Sequence, residues 1–302
     1  MQEKVRYAAT IGFFDGVHRG HRFLIDSLRG IACERQMCSM VITFARHPRQ
    51  VLQQEWQPQL LSTLDEKREL LLRTGVDRVE VLDFDLAMSQ LSAHDFMEEI
   101  LKKRLNVGCL LTGYDNRFGH NRAEGFEDYV RFGRELGIEV VSGKALVVND
   151  TNVSSSRIRR LLQEGEVEEA ALCLGYPYSL SGLVVHGKQI GRQLGFPTAN
   201  IEAADVCKLI PEDGVYAVTV SIEGDDKYYG GMMNIGSRPT FEGHHTTLEV
   251  HLLQYDGDLY NRRVTVRFIA RLREERAFPD ADALVSQMNE DKQRVIQILN
   301  AQ

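Results

Sequence analysis

The chain has few cysteines, no excess of positive charge and no long apolar run. Its five cysteines are odd in number and scattered over 302 residues, which favours a reducing compartment over a disulfide framework. A net charge of −7 argues against general binding to a nucleic-acid backbone, although a local pocket for a small anion stays open. No N-terminal apolar segment and no run of about 18 apolar residues is present, which predicts a cytoplasmic, non-membrane protein.

The hydrophobic pattern changes near Leu174 and predicts two domains, at residues 1–174 and 175–302. The first part alternates apolar runs with amphipathic segments, which is typical of a doubly wound parallel α/β sheet. Its expected strands are 5–11, 39–44, 78–82, 109–112 and 138–141, and its expected helices are 20–34, 64–74, 93–105, 127–136 and 154–164. The second part predicts a small β-barrel with strands 183–186, 215–222, 227–235, 247–253 and 264–272, and a closing helix at 282–299.

Residues 12–21, GFFDGVHRGH, place His18 and His21 where the first predicted strand ends and the first predicted helix begins. Such a junction is where an α/β sheet binds ligands and where free backbone N–H groups attract anions. A bound anion also favours the protonated form of a histidine. Three glycines in nine residues indicate a close backbone approach to a ligand, so we expect a nucleotide triphosphate site. Half of a zinc site and a solvated turn are the alternatives, and zinc is disfavoured because the nearest cysteines lack CxxC spacing.

Three further motifs follow predicted strands or open a predicted helix. They are TFARHPR at residues 43–49, TGYDNRFG at 112–119 and NVSSSRIR at 152–159. Hydroxyls and arginines at a helix start suit an anion. Each motif alone is weak, because serines are ordinary caps and arginines are usually solvated, but their positions at successive strand ends reinforce one another.

Residues 182–200, GLVVHGKQIGRQLGFPTAN, form the main motif of the second half. A P-loop is rejected, because Gln189 stands where a Ser or Thr would bind magnesium. The glycines allow a backbone to approach phosphates, Pro197 fixes a turn, and Thr198 and Asn200 offer neutral oxygens to a hard cation. These glycines are Gly187, Gly191 and Gly195.

Glu249 is the candidate general base of the second half. Alternation along its strand predicts Leu248, Val250 and Leu252 on the core face, and Glu249 on the opposite face with its neighbours at 247 and 251. A surface salt bridge is the ordinary explanation of a strand glutamate. The preceding NIGSRPTF segment has the composition of a functional loop and favours a catalytic role.

The first half resembles the HxGH nucleotidyltransferase superfamily on the motifs GFFDGVHRGH and NVSSSRIR. With TFARHPR and GYDNRFG between them, it is similar to the adenylyltransferase module of bacterial bifunctional riboflavin kinase/FAD synthetases. That resemblance implies a Rossmann-like domain that joins FMN to the AMP part of ATP and releases pyrophosphate. It implies that His18 and His21 stabilise charge on the ATP phosphates, in a site completed by Gly12, Phe13, Asp15, Ser155, Ser156, Arg157 and Arg159. The implied FMN-binding residues are His47, Asp115, Asn116 and Arg117.

The motifs depart from the family pattern at two places. Asn116 stands where the family often carries phenylalanine, so the aromatic contact to the flavin is absent or comes from Tyr114. Ala45 and Arg46 replace the more usual Asp-Pro pair.

The second half resembles riboflavin kinase, because GRQLGFPTANI, GVYAV, MNIGSRPTF, LEVHLL and DLY occur in family order. In that family ATP phosphorylates the 5′-hydroxyl of riboflavin. The resemblance implies that Glu249 accepts the hydroxyl proton. It also implies that Thr198 and Asn200 hold Mg²⁺ with ATP, in a site completed by Gly187, Gly191, Gly195 and Pro197.

We therefore expect an enzyme whose ligands are riboflavin, FMN, ATP and FAD, with Mg²⁺ as cofactor. We expect a monomer or weak homo-oligomer without nucleic-acid or membrane partners. One alternative is a different HxGH nucleotidyltransferase, such as a cytidylyltransferase or a pantetheine-phosphate adenylyltransferase, which would not need the second domain. The other is a flavin-binding or regulatory protein with a silent adenylyltransferase site.

Overall fold

The computed structural model describes residues 5–53, 59–113, 117–120, 123–144, 146–148, 151–187, 191, 194–240 and 243–301. Contacts divide the chain into two compact units, Met1–Ser155 and Ser156–Gln302. The division falls inside the helix that begins at Ser155, so the boundary expected after residue 174 stays a prediction. All five cysteines are free, as expected.

The first unit is built on a five-stranded parallel sheet with the strand order β3-β2-β1-β4-β5. The strands are β1 (Tyr7–Ile11), β2 (Cys38–Phe44), β3 (Arg78–Leu82), β4 (Val107–Thr112) and β5 (Glu139–Ser142). All five lie where the sequence predicts them, with ends that differ by a few residues. Strand β1 is central, and the chain changes direction of winding between β1 and β4, which makes the end of β1 the expected ligand position.

Helices cover both faces of this sheet, so the doubly wound prediction is confirmed. The helices of this unit, together with the start of α7, are α1 (Arg19–Glu34), α2 (Pro48–Leu52), α3 (Leu64–Leu72), α4 (Leu86–Ser89), α5 (Ala93–Asp95), a π-helical segment (Phe96–Arg104), α6 (Phe126–Leu136) and α7 (Ser155–Gln163). Buried residues of α1 and α3 form one core with Val41 and Leu111. The π-helical segment and α6 form the other core with Ile42 and Leu110. The short strands β6 (Val147–Val148) and β7 (Thr151–Asn152) pair with each other before α7.

One predicted helix has a different geometry from the expected one. The amphipathic pattern at residues 93–105 predicts a single α-helix, whereas the chain forms α5 and then nine residues of π-helix. The wider turns still bury Phe96, Met97 and Leu101, so the apolar pattern is satisfied by either winding. Apolar periodicity alone therefore does not separate the two helix types.

The second unit contains a closed antiparallel barrel with the strand order β10-β11-β12-β9-β8-β13. Its strands are β8 (Ser179–Val185), β9 (Ala199–Ala203), β10 (Gly214–Ile222), β11 (Tyr228–Thr240), β12 (Gly243–Leu252) and β13 (Arg263–Arg273), and α8 (Val167–Leu174) precedes them. The barrel prediction is confirmed. The sequence does not predict strand β9. This strand has only five residues, includes the polar Asn200 and Glu202, and follows a proline motif.

The closing helix α9 (Ala281–Asn300) packs against the barrel, as predicted. The Asp280 carboxylate accepts the Ala283 backbone N–H at 2.8 Å and caps its first turn. Val295 is fully buried among Val215, Met232 and Leu272. The wall of the barrel under α9 is therefore an apolar core rather than a solvated surface.

Truncation of Leu110 tests the core of the first unit. Leu110 on β4 is fully buried, so Leu110→Ala should cost about 2–5 kcal/mol of unfolding free energy, because a cavity is left behind. Leu86→Ala is the matched control, since Leu86 is 64% exposed, and it should change stability by less than about 0.5 kcal/mol. Urea unfolding followed by circular dichroism measures both, and equal effects would contradict the described core.

Candidate functional sites

A strained turn links β1 to α1 and carries the two motif histidines. Phe14, Gly16 and Val17 have φ values of 53°, 72° and 37°, in the left-handed region. Such a backbone is costly for the β-branched Val17 and is typical of functional sites. His18 then caps α1, since its Nδ1 accepts the His21 backbone N–H at 3.3 Å. The predicted strand–helix junction is confirmed, and it lies at the change of winding in the sheet.

The two imidazoles stack on each other, with ring centroids 3.6 Å apart. Nδ1 of His21 is buried, and the described residues offer it no hydrogen-bond partner. Burial, the neighbouring His18 ring and the Lys67 ammonium hold the pKa of His21 well below its usual value of 6.5. His21 is therefore uncharged in the free protein, and protonation at this site needs the anion that the sequence analysis expects.

Asp15 fixes the turn from inside. Its buried carboxylate accepts the backbone N–H groups of Leu61 at 3.0 Å and Ser62 at 3.1 Å. The Ser62 hydroxyl donates to the same carboxylate and accepts the Gly16 N–H at 2.9 Å. Several of the carboxylate's acceptor positions are thus used within the protein, which gives Asp15 a role in holding the turn. Binding of phosphate by Asp15 stays a prediction.

The start of the NVSSSRIR motif lies against this turn. The Ser155 hydroxyl donates to the Asp15 carbonyl at 3.1 Å. A Cβ at Gly20 would lie 3.3 Å from the Val153 carbonyl, so the glycine permits this close approach. Ser156, Arg157 and Arg159 follow on the part of α7 that belongs to the second unit, and their phosphate-binding roles stay predictions.

A cavity of about 370 Å³ opens beside the same turn. Four predicted site residues line it, namely Gly12, Phe13, His47 and Arg117. The His47 ring contacts the Phe13 ring edge-on at 4.6 Å, and His47 also caps α2. Of the other aromatic residues of the wall, Phe44 and Phe118 belong to the motifs TFARHPR and TGYDNRFG. No motif in the sequence points to the remaining ones, which are Phe84, Phe96 and His120. Asp115 and Asn116, with Tyr114, lie outside the described residues.

In the second unit, Glu249 and Asn200 face each other across β12 and β9. Both line a cavity of about 420 Å³, together with Gly187, Gly191 and Thr198. Its other wall comes from α9 and the segment before it, including Leu284, Met288 and Phe278. Leu248, Val250 and Leu252 are buried, as the alternation predicts. Glu249 itself is half-buried and lines this cavity together with residues of α9.

Two glycines make room for the polar pair of the GFPTAN motif. A Cβ at Gly187 would lie 2.1 Å from the Asn200 amide nitrogen. At Gly191 it would lie 2.4 Å from the Phe196 carbonyl and 3.3 Å from Thr198 Oγ1. Gly195 adopts φ +81°, which favours glycine. These glycines therefore pack against the protein's own motif. Lys188 and Gln189 lie outside the described residues.

A further cavity of about 520 Å³ adjoins the motif on its other side. Pro197, Thr198 and Ala199 line it, with the loop of residues 255–260 as the facing wall. Thr198 thus lines both barrel cavities.

Polar contacts of different burial hold the barrel site in shape, and no sequence motif points to them. His251 hydrogen-bonds the Pro197 carbonyl at 2.8 Å, and burial lowers the pKa of His251 although this bond opposes the shift. Arg273 pairs with the buried Asp291 on α9 at 2.9 Å. The Asn234 amide donates to Glu275 at 3.3 Å. Only the regular spacing of Asp291 along the closing helix could have indicated that it faces the barrel.

Thr198 and Asn200 fit a magnesium ion that arrives with a polyphosphate. The described residues contain no group of three or more His, Cys, Asp or Glu side chains placed to hold a metal. Magnesium usually keeps several waters and binds through few protein oxygens plus substrate phosphates. The neutral oxygens of these two side chains, beside two glycines, match that donor set.

Titration of His21 tests the electrostatics of the turn. The folded state disfavours the imidazolium, so unfolding takes up a proton below about pH 6.5 and stability of the free first unit falls with falling pH. We expect ¹⁵N chemical shifts to show a neutral His21 ring at about pH 6. His21→Gln should flatten the fall in unfolding free energy between about pH 7.5 and 5.5. An imidazolium in the wild type at about pH 6.5 would contradict the buried geometry.

Comparison with known proteins assigns a family to each half of the chain. A model described as FAD synthetase matches residues 1–157, and a model described as riboflavin kinase matches residues 174–299. The first match therefore covers the histidine turn, and the second covers Glu249 and the cavity around it.

Related proteins match over nearly the whole length. The bifunctional riboflavin kinase/FMN adenylyltransferase of Escherichia coli K12 is 38% identical over 283 residues, covering 94% of this chain and 90% of the relative. The protein of the same description from Bacillus subtilis is 32% identical and covers 98% and 93%. A crystal structure of a macrolide-efflux protein from Streptococcus pneumoniae is 30% identical, has a TM-score of 0.88 and covers 97% and 94%. Among the described helices of this chain, none combines the length and apolarity that a membrane crossing needs. The chain belongs to the family of bifunctional riboflavin kinase/FMN adenylyltransferases.

Proposed function

We propose that the barrel unit converts riboflavin to FMN and that the α/β unit converts FMN to FAD, each with ATP as co-substrate. The observation that carries the kinase assignment is the position of Thr198, which lines both barrel cavities while Glu249 lines one of them. A flavin in the cavity with Glu249 and a nucleotide in the other cavity would meet at Thr198. The apolar wall of Met232, Leu284 and Met288 suits a flat flavin ring.

Glu249 accepts the proton of the riboflavin 5′-hydroxyl as the γ-phosphoryl group of ATP transfers. A free glutamate has a pKa near 4.3 and cannot deprotonate an alcohol in advance. The proton therefore moves together with phosphoryl transfer, and the carboxylate mainly orients the hydroxyl. Thr198 and Asn200 would hold Mg²⁺ with the ATP phosphates, and the ion would supply charge compensation for the transfer.

In the α/β unit, the FMN phosphate attacks the α-phosphorus of ATP and pyrophosphate leaves. His18 and His21 lie at the start of α1, where backbone N–H groups and the helix dipole favour anions. Bound phosphates raise the tendency of the buried His21 ring to take up a proton, so positive charge develops where the pyrophosphate leaves. The aromatic cavity with Phe13 and His47 holds the flavin of FMN, and Arg117 lies at its rim as a phosphate contact.

The composition of the chain indicates its location in the cell and its oligomeric state. We expect cytoplasmic location from the five free cysteines, and a monomer or weak homo-oligomer without nucleic-acid partners from the acidic charge. Size-exclusion chromatography with light scattering measures the oligomeric state.

Product analysis tests the two activities together. The protein is incubated with riboflavin and Mg-ATP, and the flavins are separated by chromatography; both FMN and FAD should appear. FMN without FAD would favour a silent adenylyltransferase site, which the departure at Asn116 keeps as the second candidate. If neither FMN nor FAD is formed, the enzyme assignment is wrong.

Substitution of Glu249 tests the kinase site separately. Glu249→Gln should lower FMN formation about 10²–10⁴-fold, because the group that accepts the proton is lost. FAD formation from supplied FMN should be unchanged. Glu202→Gln is the matched control, since Glu202 lies exposed on the neighbouring strand β9, and it should leave both rates unaltered. Equal loss of both activities in Glu249→Gln would show that the units do not act independently.

A further inference from the structure

Lys67 is a buried cation that the proposed reaction does not use. It lies on α3, is 2% exposed, and is the fourth residue of a helix whose first turn is closed by a capping box between Thr63 and Glu66. Burying a lysine costs free energy unless the ammonium is paired. Leu71 is the other buried residue of α3 and packs in the apolar core, whereas Lys67 buries a charge, which indicates a function beyond packing.

The contacts of the Lys67 ammonium lead to the wall of the aromatic cavity. Nζ donates to the Phe44 carbonyl at 2.8 Å and lies 3.8 Å from the centroid of the Phe13 ring. Phe13 and Phe44 both line the cavity that we assign to FMN, and the Phe13 ring also contacts His47 edge-on. One cation thus holds the ends of β1 and β2 from behind the wall, through a hydrogen bond and a cation–π contact.

The surrounding charges explain how this cation is tolerated. The Asp15 carboxylate of the turn attracts the Lys67 ammonium. The ammonium also interacts electrostatically with His21 on α1, and His47 contacts the same Phe13 ring as the ammonium does. Burial lowers the pKa of Lys67 to about 8, although Asp15 opposes the shift. A phosphate cannot reach so buried an ammonium directly. Its influence on a ligand must act through the residues that it holds.

We propose that Lys67 is a positioning residue for adenylyl transfer, whose ammonium fixes the Phe13 ring and the Phe44 carbonyl so that the flavin-binding wall is preformed. The inference rests on the proposed function of the α/β unit and adds a residue that sets its affinity for FMN. Preformed walls favour binding because the ordering cost is met before the ligand arrives. The effect should therefore appear mainly in KM for FMN and less in KM for ATP.

Substitution by a neutral side chain of similar length tests the proposal in the full chain. Lys67→Met should raise KM for FMN about 10-fold or more and lower kcat/KM for FMN by about 10- to 100-fold, with KM for ATP changed less than about 3-fold. Riboflavin phosphorylation by the same molecules should be unchanged and reports the amount of folded barrel unit. Lys103→Met is the control, because Lys103 is an exposed lysine of the same unit and should leave adenylyl transfer unaltered.

The dependence of the rate on pH provides a second readout, which needs no neutral variant to fold. Deprotonation of Lys67 above about pH 8 should lower the rate of FAD formation relative to FMN formation in the wild type. His21 is already neutral in the free protein in that range, and the kinase reaction corrects for titration of the shared substrates. In Lys67→Arg the guanidinium stays charged, so activity should be rescued in part and the fall should move to higher pH.

The outcomes separate the inference from the function on which it rests. If the wild type forms no FAD from FMN and ATP, the proposed adenylyltransferase activity is wrong. If the wild type forms FAD but Lys67→Met keeps the wild-type KM for FMN, the positioning role is refuted. Should Lys67→Met fail to fold, identical pH profiles of wild type and Lys67→Arg up to about pH 9.5 would refute it instead.

Discussion

Each unit depends on a buried carboxylate that must be matched by donors. In the first unit, the Asp15 carboxylate accepts hydrogen bonds from the backbone N–H groups of Leu61 and Ser62, and these bonds fix the histidine turn. In the second unit, the Asp291 carboxylate on α9 accepts hydrogen bonds from Arg273 at the end of β13, and this pair fixes α9 beside the cavity that contains Glu249. Removing Arg273 from its ion pair with the buried Asp291 would typically cost about 3–5 kcal/mol, because the other charge is left unmatched. A lost hydrogen bond to a buried charged group such as Asp15 typically costs about 1.5–3 kcal/mol. Both sites are therefore coupled to the stability of the unit that carries them.

The two units bring their reactive groups together in different ways. In the α/β unit, parallel strands end at one edge of the sheet, so the turn after β1 and the segment after β2 meet there although they are about thirty residues apart in sequence. In the barrel, the antiparallel register sets Asn200 of β9 opposite Glu249 of β12. A shift of one residue in that register would turn Glu249 into the barrel core. The strand register therefore determines which side chains meet at the second site, whereas the strand order determines which ones meet at the first.

Much of the fold could be predicted from the sequence, because apolar alternation and strand-helix alternation are local patterns. The five parallel strands, the barrel and the closing helix follow from them. Strand β9 was missed since its residues carry little apolar pattern, and its pairing depends on distant β8 and β12. The π-helical winding was missed for a related reason, because its buried residues also fit an α-helix.

The candidate sites were predictable where a motif carries the functional atoms, and less so where the support is distant. His18, His21, Thr198, Asn200 and Glu249 lie in motifs, and the structure places each beside a turn or cavity. Lys67 and His251 have no motif around them, since their importance comes from contacts with Phe44 and Pro197 that sequence spacing does not reveal. The neutral state of the free His21 ring was also beyond the sequence, because it depends on burial and on Lys67.

The left-handed backbone at Val17 bears on how such a protein could be made more heat-resistant. A β-branched residue at φ 37° carries conformational strain of about 1–3 kcal/mol. Glycine would relieve that strain, but Val17 is fully buried in the core with Ile25 and Leu28, so glycine would also remove packed apolar surface and leave a cavity. Glycine would also raise the conformational entropy of the unfolded chain. In the folded protein it would make the turn that carries the histidines more flexible. Core packing and the fixed turn therefore both favour valine here in spite of its strain, so gains in heat resistance are to be sought at other positions.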